Sequence, residues 1–265
     1  MTANDAMALT LEKLLNSEKP SVFFEELRQN NQLDEWFPEL GALIGVPQNK
    51  EHHKEGDVWM HTMMVIDEAA KKRELVKNPP GFMFSALCHD FGKAVCTEEI
   101  NGVIHAYKHE SEGLPLVQAF LERLGAETSL IKYVLNMVEL HMQPNIMAAA
   151  KSKVKSTNKL FDSAAEPFDL IQLGICDGLG KIPKRNETED FLMERYKLFL
   201  EIMARPYVTE SELTAAGIKP GSQLSEVLAY SHKMRLAGCD KENSLRQSLA
   251  YARKVLKIDG MNYET

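Results

Sequence analysis

Apolar positions along most of this chain recur with the spacing of α-helices, and no strict alternation is long enough to predict a β-sheet. Ser21 is the expected cap of a first helix through FFEELRQ. Asn78-Pro79-Pro80-Gly81 is expected to end a helix, and 95–108 is expected to be irregular, with a turn at Asn101-Gly102. The other helices predicted in this part cover about 58–76, 82–90, 110–124, 128–142, 167–180 and 187–204.

A shorter helical region follows in the last quarter of the chain. Thr209 and Glu212 have the spacing of a capping box, which predicts a helix beginning there. A second helix is predicted over about 222–237, and a third from its cap Asp240 to Lys257. We therefore predict an all-α protein, with a helical core and N-terminal helices in 1–204 and a small C-terminal helical appendage in 205–265.

The composition agrees with a soluble globular protein. The chain has 265 residues, of which 44% are hydrophobic and 26% charged. The net charge of −7 argues against a protein that coats nucleic acid non-specifically. No apolar run approaches the roughly 18 residues of a membrane-spanning helix, and the N-terminus lacks a basic region followed by an apolar stretch. We expect a cytoplasmic protein with no membrane partner.

Four histidines and two aspartates lie on segments that are otherwise patterned for burial. Asp177 is the clearest case, because Leu170 and Leu173 share its helical face. A buried carboxylate is costly unless it is paired or bound to a metal. Six such residues in one chain favour a shared metal site, and they are His61, His89, Asp90, His109, His141 and Asp177.

The residue types limit the metal that this site would bind. His89 and Asp90 are adjacent, so both reach one ion only near a helix end, and Gly92 is expected to end that helix. Imidazole and carboxylate ligands suit Mn, Ni, Co, Fe or Zn, whereas Mg needs more oxygen ligands and water. The expected cofactor is one divalent transition metal ion or Mg, with two ions as the alternative. Such an ion activates water as a nucleophile.

The order of a histidine, an adjacent His-Asp pair and a later aspartate resembles the signature of the HD-domain superfamily of metal-dependent phosphohydrolases. The segments GDVWMHT, CHDFGK, KHESEG, ELH and CDGLGK are similar to the HD domain of bacterial CCA-adding enzymes, the tRNA nucleotidyltransferases. The resemblance runs from about 20 to 258. The sequence holds no Gly-Ser loop followed by D-x-D, as in the nucleotidyltransferase head, so we do not expect nucleotide addition.

The resemblance assigns roles to the site residues. His61, His89, Asp90 and Asp177 match the primary metal ligands. His109 and His141 match positions that hold a second ion in binuclear members of the superfamily, and their alternative role is to bind phosphate as imidazolium donors.

Other polar residues near the motifs have separate expectations. Lys93 is expected on the scissile phosphate, where it would neutralise developing charge. Lys181 stands where the family more often has arginine, and a lysine lacks the bidentate fork for substrate binding. His105 is a second candidate substrate contact, whereas His52, His53 and His232 are expected to be surface or structural residues.

The resemblance implies a phosphodiesterase or phosphatase whose substrate is a small phosphorylated molecule, a nucleotide or an RNA end with a 2′,3′-cyclic or 2′-phosphate. Asp90 would hold the metal and orient or deprotonate the attacking water. Two alternatives stay open. HD-fold di-iron oxygenases share the same six-ligand order. An RNA-binding module derived from a CCA-adding enzyme would use the basic cluster Lys151, Lys153, Lys155 and Lys159.

Overall fold

The computed structural model describes residues 2–184 and 188–257, and most of them are helical, which confirms the predicted all-α class. Within these residues, no helix is both long and apolar enough to cross a lipid bilayer. The elements are α1 Ala3–Asn16, α2 Ser21–Gln29, α3 Pro38–Gly41, α4 Val58–Ala70, α5 Pro79–Cys88, α6 Lys93–Cys96, β1 Glu98–Ile100, β2 Val103–His105, α7 His109–Glu112, α8 Leu114–Arg123, α9 Thr128–Leu140, α10 Gln143–Ala149, α11 Val154–Ser163, α12 Pro167–Leu179, α13 Glu189–Ala204, α14 Glu210–Ala215, α15 Ser222–Leu236 and α16 Lys241–Lys254.

The chain forms two compact units. Of the described residues, the first unit contains those up to Lys151 together with those within Ser163–Leu192, and the second contains Ser152–Asp162 and those from Met193 onwards. The boundary between 204 and 205 that the sequence suggested stays a prediction.

Helix α5 is the centre of the first unit and packs against α1, α4, α9 and α12. All its residues from Gly81 to Cys88 are buried. A helix that is apolar on every side can be stable only inside a core. Its C-terminal end therefore lies in the interior of the unit, and the polar pair His89-Asp90 follows there.

A buried carboxylate fixes the start of α5. Asp169, in the first turn of α12, accepts hydrogen bonds from the backbone N–H groups of Lys77 (3.0 Å) and Asn78 (3.1 Å) and from the Tyr133 hydroxyl (2.7 Å). Burial, and then this hydrogen bond, raise the pKa of Tyr133. The Asn78 side chain in turn accepts from the N–H of Gly81 and caps α5. Asp169 thereby connects α9 and α12 to the beginning of α5.

The second unit has its own small core around α14, α15 and α16. Thr209 and Glu212 form the predicted capping box at the start of α14. Asp240 caps α16 as predicted, by accepting from the N–H of Asn243. This helix ends at Lys254, so the predicted end at Lys257 is wrong.

Several other helix boundaries predicted from the sequence are also wrong. Ser21 is the first residue of α2 and not its cap, because its N–H and hydroxyl both bind the Asp67 carboxylate. Helix α4 ends at Ala70 and not near 76, since the chain turns to bring residues 77 and 78 onto Asp169. Pro79 and Pro80 begin α5. Proline is tolerated there because it has no N–H group, and N–H groups in the first turn of a helix have no partner within the helix.

Two predictions beyond α5 also need correction. The segment 95–108 contains the antiparallel hairpin β1–β2, in which Ile100 faces Val103. Its turn is Asn101-Gly102 as predicted, with the positive φ at both residues that a type I′ turn requires. The helix expected over 110–124 is divided into α7 and α8, and Pro115 lies in the first turn of α8. The predicted start of the helix at 187 lies outside the described residues.

Candidate metal centre

The structure brings all six predicted residues together in the first unit. They come from five parts of the fold, namely α4, the end of α5, α7, the end of α9 and α12. None is more than 5% exposed. Six buried, ionisable side chains therefore share one interior site: His61, His89, Asp90, His109, His141 and Asp177.

The first group of ligand atoms surrounds His61 Nε2. This nitrogen lies 3.1 Å from Asp177 Oδ1, 3.3 Å from His89 Nε2 and 3.6 Å from Asp90 Oδ2. His89 Nε2 is itself 3.2 Å from Asp90 Oδ2. His61, His89 and Asp90 thus place their ligand atoms close enough for one ion, and Asp177 contacts this group through His61.

The backbone determines which nitrogen of each histidine faces this site. In all four, Nδ1 lies near a backbone carbonyl oxygen, which accepts but cannot donate a hydrogen bond. Nδ1 therefore carries a proton in each ring, and Nε2 is the nitrogen left to face a metal ion, as in metal-binding histidines. The carbonyls belong to Gly180 for His61, Ala86 for His89, Ala106 for His109 and Val138 for His141, at 3.3, 2.9, 2.9 and 2.7 Å.

Asp90 connects the first group to a second. Its Oδ1 lies 3.3 Å from His109 Nε2 and 3.9 Å from His141 Nε2, and these two nitrogens are 3.3 Å apart. Its Oδ2 faces His61 and His89 instead. One carboxylate therefore faces a pair of histidines on each side, and each triad places its ligand atoms close enough for one ion.

The acidic ligands are in their charged form. Burial alone would raise the pKa of Asp90, but the charges on His89 and Lys93 outweigh it and hold that pKa well below its usual range. Burial of Asp177 is likewise outweighed, chiefly by the Lys181 charge, and its pKa is also well below normal. Charged carboxylates are the form that binds a cation.

Neutral His141 and an unsatisfied oxygen of Asp90 indicate that a cation would complete this cluster. Burial, and then the charges on His89 and His109, lower the pKa of His141 to about 3, so this ring is neutral at physiological pH. Asp90 Oδ2 is buried, and within residues 2–184 and 188–257 it accepts no well-directed hydrogen bond, although Lys93 Nζ is 2.8 Å away. The donor set of imidazole nitrogens and carboxylate oxygens therefore suits a divalent ion.

Both predicted lysines contact ligand carboxylates. Lys93 Nζ lies 2.8 Å from Asp90 Oδ2 and donates to Gln48 Oε1 at 2.9 Å. Lys181 Nζ lies 2.9 Å and 3.0 Å from the two oxygens of Asp177. Both line a cavity of about 410 Å³ that reaches Asp90 and Asp177. Two ammonium groups thus lie where a bound anion would meet the candidate metal ligands.

The structure also places other candidate histidines. His52, His53 and His105 all line this cavity. His232 lies in the second unit, where its Nε2 is 2.9 Å from Asp162 Oδ2.

Sequence reasoning missed Glu55 and expected His53 to be only a surface or structural residue. The Glu55 side chain is fully buried, and its Oε1 lies 2.6 Å from His53 Nδ1 and 3.3 Å from His61 Nδ1. Its Oε2 accepts from the N–H of Ile182 at 2.8 Å. Burial of Glu55 is outweighed by these hydrogen bonds, which lower its pKa to about 2. A charged carboxylate behind a ligand histidine orients that ring and increases its basicity.

Replacing Glu55 with glutamine is expected to weaken metal binding by about 10- to 100-fold, as the loss of a carboxylate behind a ligand histidine usually does. The amide removes the negative charge and places an NH₂ group against N–H donors. Calorimetric titration with Mn²⁺ measures the effect. Glu74→Gln is the control, because Glu74 is 89% exposed. Equal metal affinity in Glu55→Gln and the unmodified chain would show that Glu55 does not support His61.

Comparison with known proteins finds relatives that match part of this chain. No protein-family model matches the chain. A "Multifunctional CCA protein" from Actinobacillus pleuropneumoniae serotype 5b (strain L20) is 34% identical over 140 residues, which are 53% of this chain and 34% of the relative. The protein of the same name from serotype 7 (strain AP76) matches equally. The matched segment spans about a third of each relative's length. This partial homology and the buried His/Asp clusters confirm the predicted resemblance to the HD region of CCA proteins. Its predicted extent, from about 20 to 258, stays a prediction.

Proposed function

We propose that this chain is a metal-dependent phosphohydrolase that acts on a nucleotide or an RNA end with a 2′,3′-cyclic or 2′-phosphate. The observation that carries the proposal is the position of Asp90. Its two oxygens face two pairs of histidines, and the site opens into a cavity with two lysines. The homology to CCA proteins supports the same assignment.

The candidate ligands could hold one or two ions. The primary site would use His61, His89, Asp90 and Asp177, and the second would use the other Asp90 oxygen with His109 and His141. We favour two ions, because Asp90, His109 and His141 place their ligand atoms close enough to hold a second ion. Bound divalent ions would act as Lewis acids and lower the pKa of water, so that hydroxide is present at neutral pH. Mn, Fe, Co, Ni and Zn suit these ligands better than Mg.

Two lysines of the protein would neutralise the negative charge of the substrate phosphate. With Asp90 and Asp177 acting as ligands of a cation, the ammonium groups of Lys93 and Lys181 would be available to phosphate oxygens. Hydrolysis would form a P–O bond to the oxygen of one water molecule while the P–O bond to the ester oxygen breaks, and the ester oxygen would take up a proton of that water. Lys93 would stabilise the negative charge that increases during this step. Lys181 adds a point charge without the fork of an arginine.

A panel of phosphoesters and metals tests this proposal. The purified chain is assayed with Mn²⁺, Ni²⁺, Co²⁺ or Mg²⁺ on 2′,3′-cyclic AMP and on p-nitrophenyl phosphate esters. We expect turnover that requires a metal and stops when EDTA is added. Absence of turnover with every metal and substrate would overturn the proposal.

A di-iron oxygenase is a second candidate because the arrangement of two histidine pairs around Asp90 would also hold two irons. Metal analysis after purification discriminates the two functions. Two irons per chain and turnover that needs oxygen would favour the oxygenase, whereas oxygen-independent hydrolysis favours the phosphohydrolase.

An RNA-binding role is the third candidate. The side chains of the basic cluster Lys151, Lys153, Lys155 and Lys159 are all exposed, as contacts to phosphates require. Binding of tRNA that weakens steeply with salt, without any hydrolysis, would support a binding module instead of an enzyme.

Replacing Lys93 with alanine is expected to lower kcat by about 100-fold, the usual effect of removing one group that stabilises transition-state charge. Metal content should not fall, because the variant loses a cation that competes for Asp90. Turnover of 2′,3′-cyclic AMP and elemental analysis measure the two effects. Lys219→Ala, at an exposed position, is the control. A parallel loss of metal would instead make Lys93 a structural support of the ligands.

A further inference from the structure

An aromatic pair follows the β1–β2 hairpin and lines the metal-site cavity. The rings of His105 and Tyr107 are stacked, with centroids 4.9 Å apart and an angle of 12° between their planes. Tyr107 is nevertheless 62% exposed. Most of the tyrosine surface is therefore open to a further planar group.

The pair lies beside the ligands. Both residues line the same cavity of about 410 Å³ as Asp90 and His109. Tyr107 precedes His109 by two residues, so their Cα atoms are at most about 7 Å apart. The open tyrosine ring and the metal ligands are thus within reach of a single small molecule, and the cavity volume lies in the range of ligand pockets.

The backbone holds this aromatic pair in place. His105 ends β2, where it pairs with Glu98. Ala106 lies between these two residues in the sequence, and its carbonyl oxygen accepts a hydrogen bond from His109 Nδ1 at 2.9 Å. Lys108 adopts a left-handed conformation directly before α7. The tyrosine is therefore attached at both ends to ordered structure, which reduces the entropy lost when a ligand binds.

We infer that Tyr107 is the binding platform for the nucleobase of the substrate. Its ring stacks on the base, while the phosphate of the same molecule lies against Lys93 and Lys181. Aromatic side chains accept any nucleobase in this way because every base has a π-face. This inference rests on the proposed function for the position of the phosphate, and it adds the recognition of a base to it.

A pair of ligands that differ only in the base tests the inference. Isothermal titration of the 265-residue chain, with the metal it retains on purification, compares AMP with ribose 5-phosphate. We expect AMP to bind about 5- to 150-fold more tightly, the equivalent of about 1–3 kcal/mol for one stacked base. Tyr107→Ala should lose this preference and keep its affinity for ribose 5-phosphate, and Tyr107→Phe should keep the preference. Tyr207→Ala, which removes an exposed tyrosine of the second unit, is the control.

The outcomes separate this inference from the proposed function. Equal affinities of the unmodified chain for the two ligands would overturn the base platform, and so would an equal loss of both in Tyr107→Ala. Base-dependent binding in a chain that hydrolyses no phosphoester would support the platform and overturn the phosphohydrolase. Metal-dependent hydrolysis, together with a Tyr107→Ala variant that still prefers AMP, would support the phosphohydrolase and overturn the base platform.

Discussion

Replacing Asp90 with asparagine is expected to remove metal-dependent hydrolysis and to lower the metal content of the purified chain. The carboxylate lies between His61 and His89 on one side and His109 and His141 on the other. Asparagine has nearly the same shape but no charge, and its NH₂ group would face one of the two histidine pairs. Turnover is expected to fall by at least about 100- to 1000-fold, as it does when a group that stabilises the charge of the transition state is removed.

The measurement combines elemental analysis with turnover of 2′,3′-cyclic AMP. Asp162→Asn is the matched control, because Asp162 pairs with His232 in the second unit. Circular dichroism establishes that both variants are folded. An Asp90→Asn chain that retains its metal and hydrolyses at the normal rate would contradict the assignment of Asp90 as the central ligand.

The cluster of six buried candidate ligands could be predicted because its residues conflict with their surroundings in the sequence. Asp177 lies on a helical face with Leu170 and Leu173, and the sequence alone shows this contrast. Glu55 gives no such signal. It lies in a polar turn, and its burial results from contacts with His61 and with the distant Ile182. A residue that supports a ligand through the tertiary fold has no local pattern by which to find it.

The same limit applies to the fold. Helical periodicity predicted α4, α9 and α12, because burial of one face repeats at the period of the helix. It did not predict where α4 ends, since that end depends on Asp169, more than ninety positions further along the chain. The β1–β2 hairpin was also missed, because two strands of three residues are too short for an alternating pattern to stand out.

Replacing Asp169 with alanine is expected to destabilise the first unit by at least about 3 kcal/mol, because a buried donor without a partner costs about 1–3 kcal/mol. The variant would leave three donors unpaired, the N–H groups of Lys77 and Asn78 and the Tyr133 hydroxyl. Water cannot easily replace the carboxylate, since Asp169 is fully buried. This loss is larger than most surface substitutions produce.

Urea denaturation followed by tryptophan fluorescence measures this loss, because both tryptophans of the chain, Trp36 and Trp59, lie in the first unit. Tyr133→Phe removes one of the three donors and should cost less, about 1.5–3 kcal/mol for a hydrogen bond to a charged group. Combining it with Asp169→Ala should cost less than the sum of the two, because the residues share one interaction. Asp34→Ala, at an exposed position, should leave the free energy of unfolding nearly unchanged. If Asp169→Ala unfolds at the same urea concentration as Asp34→Ala, the carboxylate does not hold α5, α9 and α12 together.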